Sequence, residues 1–150
     1  MTEAAKSELL SCAQNCAAAH VRKASRAVTR LYADVMGKTG LEPSQYSLLV
    51  ACSIADGATV SKLAGVLAMD RSALARNLSV MEKRGLLRVK PGDDRRTRKV
   101  ALTAAGESAL GGAFPHWRAA QSKVEQKFGT ERLQHLLAEL RVLITATQGK

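Results

Sequence analysis

The hydrophobic period of this 150-residue chain changes at Gly85, and that change narrows the folds open to it. Upstream, Leu74, Leu78 and Met81 recur three or four residues apart, which aligns them on one face of an α-helix. Downstream, residues 86–90 and 98–102 alternate apolar with basic side chains around Pro91-Gly92-Asp93-Asp94, the pattern of a β-hairpin. Asp70 can cap the helix by accepting from an unpaired first-turn amide, and Gly85 can end it in a left-handed conformation. A shorter stripe of Val60, Leu63, Ala64 and Leu67 lies just before, behind Thr59 as a second N-cap. Two helices joined tightly at Ala68-Met69 predict a helix-turn-helix, followed by the hairpin.

Longer helical patterns flank this unit. Val21, Ala24, Val28, Leu31 and Val35 share a face of one helix expected over residues 9–36, with Arg22, Arg26 and Arg30 on another face, usually just a solvated side. Gly37 and Gly40 interrupt it, and Pro43 or Ser44 begins a second helix through Leu48, Leu49 and Cys52 that Asp56-Gly57 ends. Thr103 opens a helix carrying Leu110, Trp117, Val124 and Phe128, which Gly111-Gly112 and Pro115 are expected to bend or disturb. Beyond Gly129-Thr130, a last helix places Leu133, Leu136, Leu137, Leu140, Leu143 and Ile144 on one broad stripe. The expected fold is mainly α with a small β part (α+β), a single domain over residues 1–150. No apolar run approaches the length of a membrane span. The long first helix and Leu-rich last helix carry more apolar length than one small core can cover, which favours a homodimer over a purely intramolecular core.

Formal net charge is +10, and residues 70–103 hold ten Lys or Arg against four acids, so most of the excess is concentrated there. Such a patch attracts nucleic acid, acidic membrane surfaces or acidic proteins. With Leu74, Leu78 and Met81 inward, Arg71, Ser72, Ala75, Arg76 and Ser79 face outward. A helix fits the major groove of B-DNA, where arginine can hold guanine by two hydrogen bonds and alanine can meet a thymine methyl. Arg95 and Arg96 at the hairpin tip, with Arg98 and Lys99 on the returning strand, suit the narrow minor groove. Asp94 is placed to accept from a neighbouring arginine and fix its direction, whereas Asp93 fits local turn chemistry. The alternative is a basic adaptor for RNA or protein; it lacks an aromatic stacking platform, because the 3% aromatic content lies outside the basic stretch. An enzyme is disfavoured by the absence of a Gly-x-Ser-x-Gly elbow, a phosphate-binding glycine loop or a His-Glu-x-x-His motif.

Asp70-Arg71-Ser72-Ala73-Leu74 with Arg76, then Leu78 through Gly85-Leu86, then Asp94-Arg95-Arg96 before Leu102-Thr103 and Gly106, resemble the MarR family of bacterial winged-helix transcriptional regulators. Leu41-Glu42-Pro43-Ser44-Gln45-Tyr46 looks like the start of that family's second helix. The resemblance implies a winged helix-turn-helix lobe over 41–103 and a dimerisation region of intertwined helices over 1–40 and 104–150. It implies a cytoplasmic, sequence-specific regulator of double-stranded DNA, commonly a repressor, acting on a pseudo-palindromic operator. No cofactor is required, and release by a small-molecule or thiol-directed effector is the family's habit. Arg71, Ser72 and Arg76 fall where members contact major-groove bases or phosphates, and Arg95 or Arg96 where the wing enters the minor groove. Pro91-Gly92-Asp93 stands where many members carry an Asp-x-Arg, a departure within the wing.

Three cysteines, Cys12, Cys16 and Cys52, are odd in number, lie in alanine-rich surroundings and follow no leading signal peptide, which suits a reducing cytoplasm. Cys12-x3-Cys16-x3-His20 would share one side of a continuous helix and could ligate zinc, with Cys52 as the candidate fourth ligand, or the thiols could be oxidised. The competing reading makes the cysteines small buried apolar residues and His20 a surface group. Ala24-Ser25-Arg26-Ala27, Thr29 and Leu31-Tyr32 resemble the organic-hydroperoxide branch of the family, but that alignment puts its cysteine at Ala18, two positions from Cys16. Trp117, Phe114 and Tyr32 are candidates to line a ligand pocket, or ordinary core aromatics.

Overall fold

The computed structural model describes residues 1–92, 94 and 96–147. Its helices are α1 Glu3–Asn15, α2 Ala17–Met36, α3 Pro43–Ile54, α4 Val60–Val66, α5 Arg71–Lys83, α6 Ala104–Phe128 and α7 Thr130–Thr147, with a short 3-10 turn at Gly37–Thr39. Strands β1 Leu87–Pro91 and β2 Arg98–Leu102 form an antiparallel pair. The mainly helical class with a small two-stranded sheet is the one expected from the periodicities. Among the described residues, no helix is long and apolar enough to cross a membrane.

The first helix departs from expectation. Instead of one helix over residues 9–36 there are two, separated by Cys16 in an extended conformation (φ -72°, ψ 104°). The first begins earlier, at Glu3, where the Thr2 hydroxyl accepts from the Ala5 amide at 3.4 Å. At the break, the Cys16 carbonyl accepts from both the His20 amide at 3.1 Å and its Nδ1 at 3.0 Å, a local alternative to helix continuation. No residue of α1 is buried, so packing within the chain does little to oppose the interruption. An apolar period continues across a one-residue break, which is why spacing does not reveal it.

The helix-turn-helix is built from caps. Thr59 accepts from the Lys62 amide at 3.2 Å to start α4, and Asp70 accepts from the Ala73 amide at 2.7 Å to start α5. Both helices end by the same reversed pair of bonds. In α4 the Met69 and Ala68 amides donate to the Ala64 and Gly65 carbonyls, and in α5 the Leu86 and Gly85 amides donate to Met81 and Glu82. Each closure needs a left-handed residue: Gly85 supplies one at φ 71°, but in the turn between the helices that residue is Ala68, at φ 49°. Leu74, Leu78 and Met81 are buried with Leu48, Leu49 and Leu63, the core beneath the turn.

A capping box starts α3, with Pro43 at its first position and the Gln45 side chain accepting from the Glu42 amide at 3.1 Å. In the hairpin Leu87 pairs with Leu102 and Pro91 with Arg98, while the Val100 amide donates to the Ala58 carbonyl at 2.9 Å and ties the sheet to the segment before α4.

Helix α6 runs uninterrupted through Gly111, Gly112 and Pro115, where a bend or disturbance was expected. The proline ring presses toward the carbonyl four residues back, that of Gly111, and open space at Gly111 and Gly112 gives the backbone room. At its start, Thr103 accepts from the Gly106 amide at 3.0 Å and donates its hydroxyl to the Gly85 carbonyl at 2.6 Å. Gly106 is needed at this contact: a Cβ there would lie 2.0 Å from the Leu86 carbonyl oxygen. Alongside, α2 packs on α6, and the Tyr32 hydroxyl donates to the Gln121 side-chain oxygen.

Two substitutions test this reading by thermal unfolding. Gly106→Ala should destabilise by about 1–3 kcal/mol, the usual range for forcing an atom into a packed site. Ala68→Gly should stabilise by about 1 kcal/mol by relieving the left-handed penalty of a Cβ.

Candidate nucleic-acid interface

The outward face of α5 is the one anticipated. Arg71, Ser72, Ala75, Arg76 and Ser79 are all exposed, in one strip opposite the buried Leu74, Leu78 and Met81. Arg71 and Arg76 form no salt bridge among the described residues, so both guanidinium groups are available to an external anion. Ser72 is differently engaged: its hydroxyl donates to Asp70 Oδ1 at 2.6 Å. To donate to a phosphate it must exchange that bond; its lone pairs remain open to a donor on a base edge. The same bond, then the Ala73 amide and more weakly the Arg76 charge, hold the Asp70 carboxyl below its ordinary value. Folded Asp70 therefore stays ionised through the ordinary aspartate range, and its cap is lost only as pH falls through the lowered value.

The hairpin follows directly on this helix and packs against it through β1. Asp94 Oδ1 accepts from the Arg96 amide at 3.0 Å, while Arg96 Nε lies 3.9 Å from Asp94 Oδ2, so the carboxylate holds the turn more closely than it holds the guanidinium. The Arg96 side chain is 93% exposed. Arg98 is exposed on β2, facing Pro91 across the ladder. Opposite the tip, Gly92 donates to the Thr97 carbonyl at 2.8 Å, in a space so tight that a Cβ would sit 2.2 Å from Thr97 Oγ1. Asp93 and Arg95 lie outside the described residues.

Two polar contacts that periodicity did not single out tie these parts together. Glu82, near the end of α5, accepts from the Val89 amide of β1 at 3.0 Å and joins that helix to the hairpin. Arg84 donates to Gln45 Oε1 at 3.2 Å and joins the same helix end to the start of α3. Neither pair has a local spacing rule, since one spans seven residues and the other 39.

The cysteines do not assemble as the metal reading requires. Cys12 is exposed, Cys16 half-buried at the helix break, and Cys52 enclosed in the lobe core at 1% exposure. The shared face proposed for Cys12, Cys16 and His20 needs an unbroken helix, which the extended Cys16 interrupts. Among the described residues, no three His, Cys, Asp or Glu side chains converge as a metal site. Burial pushes the Cys52 thiol up to about 11.

A cavity of about 790 Å³ opens between α3, the end of α4 and α6. Phe114 and Trp117 line it, as anticipated; Tyr32 does not, and Tyr46 supplies the tyrosine instead. Arg22, Arg26 and Arg30 are exposed along α2, away from the lobe core.

A capped outward-facing helix beside an arginine-bearing hairpin defines a winged helix-turn-helix. A sequence model of the MarR family matches residues 39–97, from the end of the 3-10 turn through the hairpin tip up to the start of β2. The chain is similar to the transcriptional regulator MosR of M. tuberculosis, solved in complex with DNA, at 34% identity over 90% of this chain and 100% of that one, with a TM-score of 0.78. In fold it is also similar to the transcriptional repressor CouR bound to a 23-mer DNA duplex (21% identity, 89% and 95% covered, TM-score 0.79). A cysteine-to-serine mutant of MarR from E. coli complexed with operator DNA is a third (18% identity, 91% and 95% covered, TM-score 0.77). No curated protein sequence matches the chain. The chain belongs to the MarR family, whose members are transcriptional regulators rather than enzymes.

Cys52 should resist a thiol reagent at pH 8 in the native protein and react only on unfolding, with mass spectrometry reporting the site. Because its folded value is raised, its contribution to stability is present below the ordinary thiol value of 9.0 and lost as pH rises through about 11.

Proposed function

We propose that this chain is a homodimeric regulator that reads a pseudo-palindromic operator in duplex DNA, most simply as a repressor. The observation that carries the reading is the strip Arg71, Ser72, Ala75, Arg76 and Ser79, exposed on a helix whose opposite face is fully buried and bonded through Glu82 to an arginine-bearing wing. In this reading α5 lies in the major groove, with Arg71 and Arg76 on guanines or phosphates, and the wing's Arg96 and Arg95 enter the minor groove, with Arg98 on the backbone. Asp94 keeps the wing turn in shape and so aims its tip.

Residues 1–40 and 104–150 serve as the dimerisation region and 41–103 as the DNA-binding lobe. Support comes from apolar side chains that a single chain leaves bare: Leu9 is 57% and Leu10 62% exposed, and Val21, Val28, Leu143 and Ile144 are also exposed. Pairing α1, α2 and α7 with a second copy covers them and sets two reading helices about 34–36 Å apart, or a multiple of that. The cavity between α3 and α6 is the natural seat of a small-molecule effector, since it joins the lobe to a helix of the dimerisation region. Cys12 and Cys16, at the junction of α1 and α2, are the positions a thiol-directed effector would reach. The setting that fits is a bacterial cytoplasm, where free thiols persist.

Gel shifts and footprints on the upstream region of the protein's own gene test the reading. Two protected half-sites are expected, with affinity falling about 10³-fold or more between 50 and 200 mM salt if about six phosphates are contacted. Arg76→Ala should relax specificity at one base position and cost about 1–3 kcal/mol, and Arg96→Ala should reduce the salt slope by about 1. Undiminished selective binding by an Arg76→Ala, Arg96→Ala dimer would refute it.

A further inference from the structure

The chain holds two Phe, two Tyr and one Trp, and three of these five aromatics border the one cavity of about 790 Å³. Trp117 lies between the other two: its ring centroid is 5.7 Å from Phe114 and 6.4 Å from Tyr46, with interplanar angles of 15° and 19°. On α6, Glu107, Gly111, Phe114 and Trp117 follow at helical spacing, so all four project along one side into the same space. Among the described residues, Glu107 is the only charged one in the lining, and Arg118, outside the lining, stands over the Phe114 ring. In a protein of net charge +10, the lining itself carries a single formal charge and it is negative.

We infer that the cavity selects a flat aromatic cation over an aromatic anion, an inference that rests on the cavity being the effector site. Ring faces attract cations through their quadrupole, and a carboxylate at the rim adds a direct charge. The Phe114 ring already holds one cation in this way, with the Arg118 guanidinium 5.0 Å from its centroid. An anion finds little in return. The first-turn amides of α6 nearest Glu107 are occupied, with Gly106 donating to Thr103 Oγ1 at 3.0 Å and Glu107 to the Thr103 carbonyl at 2.9 Å. The remaining polar side chains of the lining, Ser47, Ser53 and Tyr46, are neutral. Ile54, 81% exposed, and Val66 form an apolar mouth suited to the ligand's ring edge.

The test uses the full-length protein in about 150 mM salt, where the Debye length near 8 Å screens the general pull of the net charge on anions. Trimethyl(2-naphthyl)ammonium and 2-naphthoate, matched in ring and opposite in charge, are titrated by calorimetry and by emission of Trp117, the sole tryptophan. The cation should bind about tenfold more tightly than the anion and perturb Trp117. Glu107→Gln should bring the two within about threefold of each other, with thermal unfolding unchanged. Trp117→Phe, which keeps an aromatic wall, should weaken the cation several-fold and leave the anion unaffected. Equal or tighter binding of naphthoate, or a cation preference that survives Glu107→Gln, overturns the inference. If both ions bind alike and both release operator DNA, the effector cavity stands and the charge selection falls. If neither binds, both readings fall together.

Discussion

One hydroxyl group joins the three working parts of this protein. Thr103 accepts from the Gly106 amide and donates to the Gly85 carbonyl, so the start of α6 is bonded to the end of the reading helix at the point where the wing begins. Gly106 lets the helix approach until the Leu86 carbonyl lies where a side chain would otherwise stand. A shift of α6 is therefore passed to α5 and β1 through hydrogen bonds and hard contacts rather than through a flexible linker. Under the proposed function, an effector between α3 and α6 would work by favouring one position of that joint, and only to the extent that it binds the two positions differently.

Charge is distributed to suit that joint. The lobe presents arginines outward at Arg71, Arg76 and Arg96, and the acids among them are held in local bonds: Asp70 on Ser72 and Ala73, Asp94 on its own turn, Glu82 on the β1 backbone. Each acid shapes the surface through these bonds, and Asp94 also pairs loosely with Arg96 at 3.9 Å. Ser72 shows the cost of that economy, since a hydroxyl that completes the Asp70 cap is not free to donate elsewhere.

The lobe was legible in the sequence because its information is local. Caps at Thr59 and Asp70, the left-handed Gly85 and the alternation around Pro91-Gly92 are rules spanning four to six residues, and each corresponds to a bond in the structure. The outward strip followed from the inward one by helical geometry alone. Less legible was whatever depends on partners distant in sequence. Tyr32, a candidate for either pocket or core, packs against the core and bonds Gln121, and Tyr46 lines the cavity through a helix-to-helix packing that no spacing encodes. Helix α6 continues as helix through Pro115, where local chemistry argued for a break in its regularity, and the Cys16 break escaped notice because the apolar period runs across it. The Glu82 and Arg84 contacts were invisible for the same reason.

The bareness of α1 and of the first half of α2 reaches beyond architecture. If a second copy supplies the cover these helices lack, folding of the amino-terminal arm and assembly become one equilibrium, and resistance to heat and proteases rises with the number of molecules present. A gene controlled by such a protein gains a threshold from this alone: scarce copies are short-lived, abundant ones persist, and the regulator's lifetime becomes a measure of its own concentration.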